Sequence, residues 1–165
     1  MTQSEKSLLL KDLCGRLPYG VKIHINSCIA EQNQMRLFDV NLGEETIGVG
    51  NEKWAFRAIS IINDEDETKV IKPYLRPMSS MTEEEKKEVS VLLNYEFYID
   101  DDCALVAEDD RHRIRLDLMQ VYIDWLNAHH FDYRGLIPKG IALPATAGMY
   151  NINNHNYGQA RQVGS

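Results

Sequence analysis

Val21, Ile23 and Ile25 alternate with Lys22 and His24, the period of a strand that is buried on one face and wetted on the other. Further segments of β character follow at short intervals: MRLFDV (35–40), TIGVG (46–50), WAFRAISII (54–62) and KVIKPYL (69–75). Turn-rich stretches NSCIAEQNQ, NLGEE and NDEDET separate them. Four or five short strands so closely spaced imply a small, strongly bent antiparallel sheet or an SH3-like barrel.

Helical patterns flank this region. Leu8, Leu9, Leu10 and Leu13 share a helix-compatible spacing over residues 4–14, with Gly15 as the expected stop and Pro18 just beyond. Pro73 and Pro77 bracket an extended segment. Thr82 and Glu85 then form a capping box for a helix over 82–93, whose thin apolar face is Val89, Leu92 and Leu93. Tyr95, Phe97 and Ile99 alternate with polar residues, and CALVAE pairs back across the DDD turn as a hairpin. From about residue 112 the period lengthens: Ile114, Leu118, Val121, Tyr122, Trp125 and Leu126 line one face of a helix that runs to His129. The expected fold class is α+β, a small antiparallel sheet or SH3-like barrel with packed helices. Residues 1–150 form a single domain, and the Asn-, Gly- and Gln-rich end reads as a flexible tail over 151–165.

Composition narrows the function classes. With 165 residues, 44% hydrophobic and 26% charged, the chain can bury a real core, and disorder throughout is excluded. A formal charge of −7 argues against general nucleic-acid binding and leaves room for a local basic pocket. Cys14, Cys28 and Cys103 are widely spaced with no CxxC, so they read as reduced, buried thiols. No run reaches the roughly 18 apolar residues of a membrane span, and MTQSEKSLLLKDLCGRL lacks the order of a signal peptide. A soluble cytoplasmic protein without membrane partners is the expectation.

The densest chemistry is WLNAHHFDYRGLI (125–137). His129 and His130 are adjacent and project roughly 100° apart on a helix, so they cannot serve one metal ion together, and no metal or cofactor is expected. No Ser or Cys sits in a nucleophile-elbow context, and no phosphate-binding glycine motif occurs, so no catalytic residue is assigned. The plain structural account makes the histidines a helix end, with Asp132 as the cap of a second helix over 133–139 ended by Gly140. DEDE (64–67), TEEEKKE and DDD (100–102) read as solvated faces and turns, and Trp54 and Trp125 as core.

Binding chemistry survives in two places. Arg134 supplies a planar fork for phosphate or carboxylate, Tyr133 a ring and a hydroxyl, and His130 and Lys139 further donors. KPYLRP repeats this with Lys72, Tyr74 and Arg76 on an extended segment whose alternate side chains share a face. Should the blocks meet, they make a basic, aromatic pocket suited to a small nucleotide. Against this stands the simpler account, in which Arg76 and Arg134 pair with surface carboxylates.

The blocks LLLKDLCGRLPYGV, IKPYLRPMSSMTEEEKKE and DWLNAHHFDYRGLIPKGIAL together resemble a family of short proteins encoded by bacteriophages and prophage-like elements of gut bacteria. The family has no assigned activity or catalytic residues. The resemblance covers about half of the chain and implies a life in the cytoplasm of a bacterial host. It suggests a non-enzymatic accessory or anti-defence protein that sequesters a host component, such as a nucleotide immune signal, a role with which a homodimer is compatible. The alternatives are an interaction module for a host or phage protein and a small hydrolase of nucleotide signals using His129 or His130.

Overall fold

A computed structural model describes residues 1–26, 32–50, 55–60, 70–93, 97–101, 105–107 and 116–150. The alternating segments become five strands, β1 (Lys22–Asn26), β2 (Gln32–Asn41), β3 (Thr46–Gly50), β4 (Ala55–Ser60) and β5 (Val70–Leu75). They pair antiparallel in the order β4-β3-β2-β1-β5. A two-residue strand β8 (Leu143–Pro144) extends the sheet by pairing parallel with β5. Among the described residues the sheet is open, with β4 and β8 at its edges, so the fold class is α+β and the strand order does not close into an SH3-like barrel. The expected hairpin forms separately, as β6 (Phe97–Ile99) against β7 (Leu105–Ala107).

Helix α1 (Gln3–Arg16) starts in a Thr2–Glu5 capping box and packs Leu9 and Leu13 on Ile23, Ile25, Met35 and Leu37. Each such fully buried aliphatic side chain contributes roughly 1.5–3 kcal/mol. Gly15 does not stop α1. A side chain there would meet Asn127, with a Cβ 3.3 Å from Nδ2, so the glycine permits close approach of α1 to helix α3 (Leu116–Ala128). The stop lies further on, in a single 3₁₀ turn over Leu17–Tyr19 closed by Gly20 at φ +60°. Helix α2 (Glu83–Leu92) begins in the expected Thr82–Glu85 capping box. It buries Val89 and Leu93 against Trp125, Leu126 and Phe97, while Leu92 faces outward. On α3, Leu118, Tyr122, Trp125 and Leu126 are buried and Val121 is exposed. Ile114, Trp54, Cys28, Cys103, DEDE (64–67) and the end from 151 lie outside the described residues. No helix among the described residues is long and apolar enough to cross a membrane.

After α3 the chain reverses through His130, at φ +60°. Phe131 N–H donates to the Leu126 carbonyl at 2.9 Å and His130 N–H to that of Asn127 at 3.2 Å. These bonds form a Schellman motif in which histidine occupies the left-handed position that glycine usually takes. The expected helix over 133–139 does not form. Gly135 and Gly140 are left-handed, at φ +69° and +72°, so residues 133–140 run as consecutive turns. Asp132 caps these turns, accepting from Leu136 N–H at 2.7 Å and Ile137 N–H at 2.8 Å.

The segment from Thr146 to the end of the expected domain is anchored by Tyr150. One step beyond the Ile23–Pro73 pair, the Tyr150 hydroxyl accepts from Lys22 N–H at 3.0 Å and donates to the Tyr74 carbonyl at 2.8 Å. The phenol thus stands where a β1–β5 ladder bond would be, and burial pushes its pKa up. Tyr150→Phe keeps the ring but orphans both backbone groups. We expect a loss of about 1–3 kcal/mol, seen as a lower urea midpoint with an unchanged slope.

Candidate functional site

The KPYLRP and HHFDYR blocks do meet, through their backbones. At the end of β5, Arg76 N–H donates to the His130 carbonyl and Asp132 N–H to the Arg76 carbonyl, both at 2.8 Å. The side chains then turn to separate tasks. Arg76 makes two hydrogen bonds to Glu85, at 2.7 and 2.9 Å, and its guanidinium lies 4.2 Å from the Phe131 ring centre. Arg134 serves a different carboxylate, with Nε 3.3 Å from Asp12 Oδ1 and 3.2 Å from the Tyr133 hydroxyl. Tyr133 in turn donates to buried Asn127 at 3.0 Å. Both arginines therefore pair with buried carboxylates rather than with each other across a pocket or with surface acids.

Arg16, which sequence reading did not single out, completes this corner. It is fully buried, donates from Nε and Nη2 to Asp12 at 2.7 and 3.1 Å, and donates from Nη2 to the Phe131 carbonyl at 2.7 Å. Phe131 is thus held by Arg16 at its carbonyl and by Arg76 and the stacked Trp125 at its ring. The His129 ring packs on Trp125, tilted by 35° with ring centres 4.0 Å apart, and sets Nδ1 3.6 Å from Glu85. His130 stacks on Tyr150 at 3.8 Å. Both imidazoles are 3% exposed. Among the described residues no three His, Cys, Asp or Glu side chains gather as a metal site would require.

A cleft of about 330 Å³ lies beside this corner, lined by Arg76, Pro77, Ser80, Thr146, Gly148 and Tyr150. Its arginine is already neutralised by Glu85. Lys139 stands apart, exposed and close enough to Glu5 to bear weakly on its carboxyl, which the Thr2 cap chiefly holds below the usual range.

Lys72 and Tyr74 project to the other side of β5, on the sheet face that α1 does not cover. There the register collects what single strands do not reveal. His24 lies opposite Lys72, and Lys22 opposite Arg36. Tyr74 sets its hydroxyl 3.5 Å from His24 Nδ1, and the Lys22 ammonium lies 5.8 Å from the Tyr150 ring centre. A bulge in β2 places Phe38 and Asp39 against Gly48, where a Cβ would come within 2.7 Å of the Phe38 ring. Among the described residues Arg36 and Lys72 have no carboxylate partner. The signal for this face was present in the outward positions of VKIHI and MRLF, but only pairing shows that they adjoin.

Glu85 shows how the corner responds to acid. Burial alone would raise its carboxyl, but the neighbouring His129 ring and the hydrogen bonds from Arg76 and the Thr82 backbone outweigh it and hold the pKa at about 2, against an ordinary 4.5. A depressed carboxyl stabilises the fold above its unfolded pKa, and this contribution is lost as pH falls from 4.5 towards 2. Glu85→Gln should flatten urea-derived stability across that window and cost on the order of 3–5 kcal/mol at neutral pH.

The two arginines on Asp12 should differ sharply in denaturation midpoint. Arg16→Ala leaves the buried Asp12 carboxylate with Arg134 alone and the Phe131 carbonyl without its donor, and should cost about 3–5 kcal/mol. Arg134→Ala, at a side chain 24% exposed, leaves the Arg16–Asp12 pair intact and should cost about 1 kcal/mol or less.

No protein-family model matches this chain, and neither does any curated protein or solved structure.

Proposed function

We propose that this chain is a non-enzymatic, phage-type accessory protein of the bacterial cytoplasm that binds and sequesters a nucleotide-type anion of its host. The observation that carries this reading is the sheet face that α1 does not cover, where three cationic side chains, Lys22, Arg36 and Lys72, adjoin His24 and Tyr74 on a protein of net charge −7. Cations concentrated against an acidic background favour a local anionic ligand. The phage setting rests on the resemblance of the three sequence blocks. Of the residues first considered for ligand contact, Lys72 and Tyr74 stay with this face. Arg76, His130, Tyr133 and Arg134 are occupied in holding the corner together.

Binding without turnover is favoured over hydrolysis because His129 and His130 pack against aromatic rings and are nearly closed to solvent. A contact with a host protein is the second reading, supported by Val91 and Leu92, which are 51% and 37% exposed on α2.

Mass spectrometry of small molecules released from the purified protein separates these readings. A retained nucleotide-type anion is expected, and it should be lost in Lys72→Glu and kept in Lys87→Glu, an exposed position on α2. No released anion, together with a host protein that co-purifies with the native chain and not with Val91→Asp, would favour the second.

A further inference from the structure

We propose that the cleft beside Arg76 is a further binding site, independent of the sheet face, and that it takes a planar, uncharged heteroaromatic ring of nucleobase or nucleoside size. The cleft holds about 330 Å³, at the lower end of the range of about 300–1,000 Å³ found for small-ligand sites. Its two walls are tied together by backbone, since β8 pairs with β5 and Ala145 N–H donates to the Leu75 carbonyl at 2.7 Å.

The first argument is flat surface that is already fixed in place. Tyr150 borders the cleft with its ring backed by His130 at 3.8 Å and its hydroxyl held between the Lys22 N–H and the Tyr74 carbonyl. Arg76 borders it with its guanidinium over the Phe131 ring and both terminal nitrogens bonded to Glu85. Both groups are planar, and both have their polar ends turned to partners within the protein. What they offer a ligand is a surface for stacking, which aromatic rings use well. Neither has much freedom left to lose when a ligand enters.

The second argument is charge. Arg76 is the charged residue along this cleft, and Glu85 neutralises it at 2.7 Å. A phosphate or carboxylate would have to compete with Glu85 for the guanidinium, whereas an uncharged ring leaves the ion pair intact.

The third argument is the polar rim. The Ser80 hydroxyl donates to the Pro77 carbonyl at 2.7 Å, so towards a ligand it is an acceptor. Among the described residues the backbone N–H groups of Ala147 and Gly148 make no hydrogen bond, so they are donors. Donors and an acceptor around a flat slot match the mixed edge of a heteroaromatic ring, and a hydrocarbon ring would leave them unused.

The test is amide NMR and calorimetry of the full chain, titrated into the millimolar range with adenosine, guanosine, cytidine and uridine and with their monophosphates. At least one nucleoside is expected to bind, to shift the Ala147 and Gly148 amide resonances, and to bind no less tightly than its monophosphate. Its Kd should not change when the salt is raised roughly tenfold, because no charge is being screened. Thr146→Trp and Ala147→Trp, at exposed positions along the cleft, offer an indole to fill it. We expect at least one of them to weaken binding about tenfold or more with unchanged circular dichroism, and Lys87→Glu to leave it unchanged. Failure of every nucleoside to bind overturns the inference. So does binding of monophosphates alone, which would leave the anion-binding reading of the sheet face standing. Nucleoside binding that survives both tryptophan variants removes it from this cleft.

Discussion

Two charges without solvent exposure, the Arg16 guanidinium and the Asp12 carboxylate, hold α1 to the segment that follows α3. Removing such a pair from water costs several kcal/mol per ion, and only good geometry and further hydrogen bonds offset that cost. Here two hydrogen bonds join the ions, the Phe131 carbonyl takes a third from Arg16, and Arg134 adds a second cation to Asp12. Phe131 is thereby fixed where its backbone bridges to Arg76 and its ring meets Trp125. The apolar cluster under α1 and the cluster around α2 and α3 are joined at this residue. Hydrophobic burial supplies the bulk of the stability, but the buried charges specify how the two clusters are set against each other.

The arginines divide the molecule into two kinds of positive charge. Arg16, Arg76 and Arg134 are inward, each with a carboxylate, and they act as rigid, multidentate cross-links suited to the planar guanidinium. Arg36 and Lys72 are on the opposite side of the sheet, and among the described residues neither has a carboxylate partner. Net charge therefore says little about the local field. An excess of carboxylates elsewhere is compatible with one positive face, and keeps that face from attracting every polyanion in the cell.

Much of the fold was legible because it is set by local rules. Period two in VKIHI and the β character of the four segments after it located five of the six strands of the main sheet, β8 excepted, and the Thr82–Glu85 box marked the start of α2. Where tertiary contact overrides local preference, the sequence misleads. Gly15 reads as a helix stop and is instead a space left for Asn127. Residues 133–139 read as a helix because Asp132 looks like a cap, yet Gly135 and Gly140 turn the backbone left-handed. The candidate site was partly legible for the same reason. Alternation placed Lys72 and Tyr74 on one face, but the addition of Lys22, His24 and Arg36 depends on register, and the carboxylate partner of Arg134 lies far along the chain.

The Tyr150 phenol set into the β1–β5 ladder carries a consequence for the order of events in folding. Its two hydrogen bonds span 128 and 76 residues of sequence, and the Arg16 bond to Phe131 spans 115. Closing such long loops is entropically unfavourable until many contacts form together. The end of a strand near the N-terminus therefore waits for a tyrosine that is synthesised last among the described residues. During synthesis the seam between β1 and β5 lacks these two bonds until the chain has been made as far as Tyr150.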